Sequence, residues 1–391
     1  MTMIDAAGGF RRAQLATGAL FGLLGFQYAT WATRLPAIKD ELGLTPAQIG
    51  VLLLATGIGA VAAFPAVAVL MRRLGSRRLA IVSCAVLMVA LAGLAALPGY
   101  PAALVIMLVD GVAVACLNVA MNAQGTALEV RYERSTMAKL HAVFSGGTFL
   151  AALLATAVTA ATSSLFVHFG LAIAVMVVLT AFARGGLPAD DLPDAAPKEK
   201  KKRWALPNRT TLWLGAAMVF GTVTEGAMND WSALYLEDVV DAAPELVPLG
   251  VATVSAMMLL ARLFADGWRA RWGDRRVVLV GAALAFSGLT VALVLGGLVP
   301  TLLGFACVGL GMAAVTPSLY VAATKEGTNA LALVATMGTT GLLVGPPVIG
   351  FVANASGMVW GMGAVALSAF LVTLCVTPIR MDAVPAGSTS S

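Results

Sequence analysis

Twelve long apolar blocks decide what this chain can become. They run over about 13–35, 47–71, 79–98, 101–125, 138–161, 164–184, 210–235, 246–267, 277–297, 300–322, 328–352 and 357–378. About 20 apolar residues suffice for a helix to cross the hydrocarbon core of a bilayer. Neither strand alternation nor a one-sided helical stripe organises these blocks. With 59% hydrophobic and only 12% charged residues, the chain cannot furnish a water-soluble surface. The fold class expected is an all-α membrane protein with twelve transmembrane helices.

The N-terminal MTMIDAAGGFRRAQ has two arginines before an apolar run, but that run is long enough to span and has no small-residue cleavage site. The four cysteines, Cys84, Cys116, Cys307 and Cys375, fall singly in apolar blocks and read as packing residues. The net charge of +5 could suggest nucleic acid, but placing the cations argues against it. If the helices alternate, nearly all Lys and Arg lie on one side. The opposite loops hold only Arg34 and Lys39, with Asp40, Glu41, Glu237, Asp238, Asp241 and Glu245. This positive-inside pattern places both termini in the cytoplasm of a multi-pass protein. The lipid bilayer is then its solvent, and no nucleic-acid partner is expected.

The stretch 188–209, PADDLPDAAPKEKKKRWALPNR, is the one long polar segment. It divides the chain into a bundle over 1–184, a cytoplasmic linker over 185–208 and a bundle over 209–391, each bundle with six helices. A single offset of 198 residues places Gly75 on Gly273, Gly111 on Gly309, Gly147 on Gly345 and Gln27 on Glu225. Repeated halves are common in transporters, whose substrate sites lie near the midplane between the repeats.

These features resemble the major facilitator superfamily, whose fold is two six-helix bundles related by pseudo-twofold symmetry. The family's hallmark turn carries an acid, a glycine and paired basic residues. ARLFADGWRARWGDRR (261–276) matches it in longer spacing with Asp266, Gly273, Arg275 and Arg276, and Arg262 lies one turn before the acid. VLMRRLGSRR (69–78) keeps Gly75 but has Ala68 at the acid position. The resemblance implies that Asp266, Arg262, Gly273, Arg275, Arg276 and Gly75 serve gating. More narrowly, WATRLPAIKDELGLTPAQIG, LNVAMNAQG, KLHAVFSGG and EGAMNDWSALYL are similar to a bacterial branch near the fucose–proton symporters. That branch implies a small polar, sugar-like solute, and its members usually carry a carboxylate where this chain has Asn118.

Polar residues inside spans cost at least about 2.5–3.5 kcal/mol per charge and persist when paired, wetted or useful. Helix 7 of the twelve carries Glu225 and Asn229 on one face, with Asp230 about 100° further round and Trp231 beyond. Helix 4 carries Asp110, Asn118 and Asn122 on roughly one face. Helix 1 offers Gln27, Tyr28 and Trp31. Interhelical hydrogen bonding accounts for each polar residue equally well, and anchoring at the membrane surface accounts for Trp31. The functional reading is a substrate cavity lined by Gln27, Tyr28, Trp31, Asn118, Asn122, Asn229, Asp230 and Trp231. Glu225 is then the leading proton-coupling candidate and Asp110 the second.

No nucleophile–base pair, metal cluster, cofactor motif or phosphate loop is visible, so the expectation is not an enzyme. It is a monomeric secondary transporter of the bacterial inner membrane, moving a small-molecule substrate with protons. Proton-antiport efflux of a drug or metabolite is the alternative within the same fold. A transporter-like sensor or channel is the alternative from another class.

Overall fold

A computed structural model describes residues 3–96, 99–134, 136–188, 207–379 and 381. Among them the regular elements are thirteen helices. α1 (Met3–Ala32), α2 (Leu35–Leu42), α3 (Pro46–Ala96), α4 (Tyr100–Tyr132), α5 (Met137–Ala161) and α6 (Leu165–Gly186) build the first half. α7 (Arg209–Asp238), α8 (Leu249–Trp272), α9 (Asp274–Leu295), α10 (Leu298–Met312), α11 (Val315–Lys325), α12 (Thr328–Ser356) and α13 (Met358–Val376) build the second. Most of the expected linker lies outside the described residues.

Thirteen helices make twelve spans once three local events are understood. The short α2 lies at one end and crosses nothing. α3 is two spans, because Gly75 interrupts it with φ 73° and ψ 167°. α10 and α11 form one span broken at Ala313–Ala314. Pro317, in the first turn of α11, lacks an N–H and its ring would collide with the carbonyl four residues back, at Ala313. The expected uninterrupted span over 300–322 missed that break. Among the described residues nine helices are long and apolar enough to cross a membrane, and α1 and α7 are not among them.

The terminal end holds the start of α1 and the end of α13, and the distal end holds α2 and the α7–α8 turn. In the first half α1 packs on α5 and α6, and α3 on α4; in the second α7 packs on α12 and α13, and α9 on α10 and α13. The halves meet through α3 with α12, α5 with α8, and α1 and α2 with α7.

The internal repeat is visible in the backbone. Gly75 and Gly273 both turn the chain with positive φ, 73° and 81°, between two spans. That region near ψ 150–170° is essentially restricted to glycine. A Cβ at Gly111 would strike the Thr56 carbonyl, and one at Gly309 the Val254 carbonyl. Thr56 and Val254 are themselves 198 apart, so the offset relates whole helix contacts as well as glycines. Replacing Gly75 or Gly273 with Ala should cost about 1–3 kcal/mol each. Thermal unfolding in detergent should register both losses, whereas Gly170→Ala, in a helix with open space around it, should not lower stability.

Candidate functional site

Glu225 falls just past the middle of the 30-residue α7, and Arg262 near the middle of the 24-residue α8. Arg262 Nη2 donates to Glu225 Oε1 at 2.9 Å. Its other terminal nitrogen donates to Ser145 Oγ on α5, in the opposite half. One guanidinium therefore ties the two halves at mid-depth. The pair stays partly accessible, with side-chain exposures of 21% for Arg262 and 25% for Glu225. Asn229, one turn on, donates from Nδ2 to the Glu225 carbonyl at 3.0 Å. Arg262 thus reaches inward to Glu225, away from Asp266, and Glu225 is matched by a cation.

The other two expected acids have only neutral partners. Gln27 Nε2 donates to Asp110 Oδ1 at 2.7 Å, in full burial. Asp110 Oδ2 and Gln27 Oε1 have no hydrogen-bond partner among the described residues. Tyr28 Oη donates to Asp230 Oδ1 at 2.5 Å, a bond between the two halves. Trp31 meets Tyr28 edge to face at 5.1 Å and is fully buried, so it is not a surface anchor. Trp231 is equally buried, its ring against Gly350 of α12. Neither acid lies within ion-pair distance of a lysine or arginine among the described residues.

Helix 4 does not present one polar face. Asp110 is buried toward α1, while Asn118 is exposed and lies about 80° away by helical rotation. Asn118 lies roughly opposite Val109 and about 120–140° from Val105 and Val130, and about 80° from Leu108, all exposed apolar residues of that helix. Asn122 Nδ2 donates to its carbonyl at 2.8 Å and its Oδ1 at 2.6 Å. The expected cavity group accordingly divides. Asn118, Asn122 and Asn229 are accessible, as are Glu225 and Arg262, while Gln27, Trp31, Asp230 and Trp231 are buried, as is Asp110, and Tyr28 is half-buried.

The hallmark turn also rearranges. Asp266 is 77% exposed and makes an i,i+3 pair with Arg269 at 3.3 Å. The acid that joins elements is Asp274, which the sequence reading missed. Its Oδ1 accepts from Arg269 Nε at 2.5 Å and from Ser318 Oγ at 3.0 Å, linking α8, α9 and α11. The signal was available, because an acid directly after a turn glycine sits in the first turn of a helix and favours its dipole. Its mate by the 198 offset, Ser76, does the same work without charge, accepting from Gln124 at 2.7 Å. Arg275 caps the end of α13, donating to Ile379 O at 2.9 Å and Thr377 O at 2.7 Å, and Arg276 is exposed. Glu129 accepts from the Thr136 and Met137 amides and caps α5.

At the distal end Lys39 on α2 bonds Asp238 and lies 3.4 Å from Glu237, across the halves. Burial alone would lower its pKa. The Asp238 hydrogen bond and the charges of Asp238, Glu237 and Asp40 outweigh that, and the ammonium titrates above the usual lysine value. Glu237 moves up as well, through burial and then Asp40, because one lysine serves three acids. Lys39 and Glu237 are 198 residues apart, so they are repeat mates. Arg34, also at this end, binds Thr159 Oγ1 at 2.5 Å and the Ser163 carbonyl, fastening α1 to the α5–α6 turn.

Because Asp274 is shared among three helices and Asp266 is nearly free in solvent, their losses should differ. Asp274→Asn should cost about 1–3 kcal/mol of stability. Asp266→Asn should cost no more than about 0.5 kcal/mol, as for an exposed helical pair. Unfolding of the two variants in the same detergent measures the contrast.

Comparison with known proteins agrees with this architecture. The family model described as Major Facilitator Superfamily matches residues 15–327. An uncharacterised MFS-type transporter of Yersinia pestis is 30% identical over 360 residues, covering 90% of this chain and 92% of the relative. Among solved structures, a variant of the nucleoside transporter NupG superposes with a TM-score of 0.74 at 15% identity, covering 95% of this chain and 99% of that one. A variant of the E. coli fucose:proton symporter FucP superposes with a TM-score of 0.62 at 16% identity, covering 96% of this chain and 98% of that one.

Proposed function

The chain belongs to the major facilitator superfamily of transporters, and on that premise we propose that it carries a small polar, sugar-like solute by proton-coupled alternating access. The observation that carries this reading is the Glu225–Arg262–Ser145 bridge, which joins the two halves at mid-depth in a partly accessible position with Asn229 beside it. Clustered donors and acceptors suit a solute with several hydroxyls. The names of the structural neighbours, a nucleoside transporter and a fucose:proton symporter, lean the same way.

The two bundles, 1–184 and 209–391, are the moving bodies. The positive-inside pattern puts the terminal end in the cytoplasm of the bacterial inner membrane. The Tyr28–Asp230 and Lys39–Asp238 bonds then close the outside. A cysteine at any of 195–200 should react with an impermeant thiol reagent only after the membrane is permeabilised. Labelling in intact cells would reverse the orientation.

The proton belongs to Asp230, with Asp110 as the second candidate. An anion sealed in a low-dielectric interior costs several kcal/mol without a cation. Glu225 has that cation and Asp230 has a phenol. Ionised Asp230 holds Tyr28 through a charge-assisted bond and keeps the outer ends together. A proton arriving from outside weakens that bond and favours the outward-open state. One proton moving through 100 mV supplies about 2.3 kcal/mol, and one pH unit about 1.4 kcal/mol. Together they sustain a solute gradient of several hundred-fold.

The test is a panel of radiolabelled monosaccharides and nucleosides in proteoliposomes, with and without an inward pH gradient. Asp230→Asn should abolish pH-driven accumulation and leave counterflow intact. Glu225→Gln strands the Arg262 charge and should raise the half-saturating concentration at least about tenfold, or roughly 1.4 kcal/mol. Accumulation that survives in Asp230→Asn but fails in Asp110→Asn would place the carrier on α4. Expulsion of lipophilic drugs, with no polar solute moved, would select the efflux alternative.

A further inference from the structure

Outside the central site, the terminal ends of α1 and α6 enclose a shallow groove that opens sideways to the bilayer. Its rim carries Arg11 and Arg12, and its walls include Leu15 and Phe182, which are 53% and 54% exposed. Gly185 and Gly186 form its floor. Gly186 presses against Ala16 and the Arg12 backbone, and Gly185 has open space where a side chain would stand. Arg12 is fixed in place, donating from Nη2 to the Gly185 carbonyl at 2.7 Å. Arg77 caps the next carbonyl back, at Arg184. Arg11 is exposed and has no hydrogen-bond or ion-pair partner among the described residues.

The layering is amphipathic. Arg11 and Arg12 lie level with the end of α6, about two turns in from the start of α1 and just before its apolar run, and Leu15 and Phe182 lie about one turn deeper. We propose that this groove binds an anionic phospholipid, its phosphate on Arg11 and Arg12 and one acyl chain along Leu15 and Phe182. A guanidinium has five N–H donors in a planar fork suited to phosphate, and Arg12 has committed one of them to Gly185. A free phosphate ion would gain nothing from the apolar walls. The adjoining stretch PADDLPDAAPKEKKKR (188–203) offers acids for the arginines but a single leucine for the walls. The site depends on neither the transported solute nor the orientation of the chain, since either leaflet presents headgroups at this depth.

A photoreactive benzophenone residue at Phe182 tests it in the full chain, reconstituted with a minority of phosphatidylglycerol in phosphatidylethanolamine. Intact mass identifies the adduct. Phosphatidylglycerol should be captured about fivefold above its mole fraction, the factor that one well-placed surface arginine supplies. Arg11→Gln with Arg12→Gln should return capture to the mole fraction, and Gly185→Leu should lower total lipid capture. The same label at Val280, exposed on α9 one turn from Arg276 but without a groove, should show no enrichment. Equal enrichment at Val280, or enrichment that survives loss of both arginines, overturns the proposal. So do an adduct to residues 189–206 of the chain itself and displacement by inorganic phosphate.

Discussion

A charge in the hydrocarbon core must meet a counter-charge, meet water or disappear, and the interior of this protein is arranged around that requirement. Three acids are set deep among the helices, and each answers it differently. Glu225 keeps its charge beside Arg262, in a partly accessible position. Asp110 and Asp230 are sealed with an amide and a phenol. α7, which bears Glu225 and Asp230, and its repeat mate α1, which bears Gln27 and Tyr28, are less apolar than the other spans, whereas α4 carries Asp110 and stays apolar enough to cross a membrane. The seats of α1 and α7 depend on protein neighbours, because lipid could not satisfy Gln27, Tyr28, Glu225 and Asn229.

The duplication explains where the halves touch. Residues related by a twofold axis meet each other only beside that axis. Lys39 and Glu237 are such mates, and they lie 3.4 Å apart at the distal end. Their unlike charges turn a symmetric position into an attractive one; two lysines or two glutamates there would repel. The same asymmetry recurs at mid-depth, where Gln27 and Glu225 are mates. Gln27 bonds an acid within its own half, and Glu225 bonds a cation within its own half. Duplication therefore supplied the frame, and divergence at mated positions supplied the charges.

What could be read from the sequence was what depends on composition along one helix or on the repeat. The twelve spans, the two halves and the turn glycines Gly75 and Gly273 are of that kind. So was the suspicion attached to EGAMNDWSALYL. What could not be read was partner choice across helices. Arg262 lies 37 residues from Glu225 and 117 from Ser145, and one-dimensional spacing favoured Asp266 one turn away. Asp110 and Asn118 looked co-facial at eight residues, yet the remaining rotation of about 80° buries one against Gln27 of α1 and leaves the other exposed. Pro317 is a breaker that the apolar run around it masks.

Partner choice also decides which acid can exchange a proton without undoing the bundle. Protonating Glu225 would leave Arg262 as a lone cation at mid-depth, tied only to Ser145, and that state would resist every later step. Protonating Asp230 leaves no orphaned charge, since Tyr28 is neutral in either case, and it alters a bond that joins the two halves. Protonating Asp110 is equally clean electrostatically, but its bond to Gln27 lies within one half and does not bear directly on whether the halves part. On the proposed coupling, charge neutrality disfavours Glu225, and the geometry of the interface ranks Asp230 ahead of Asp110. Coupling of proton to motion is most direct where the titrating group is itself part of the contact that must open.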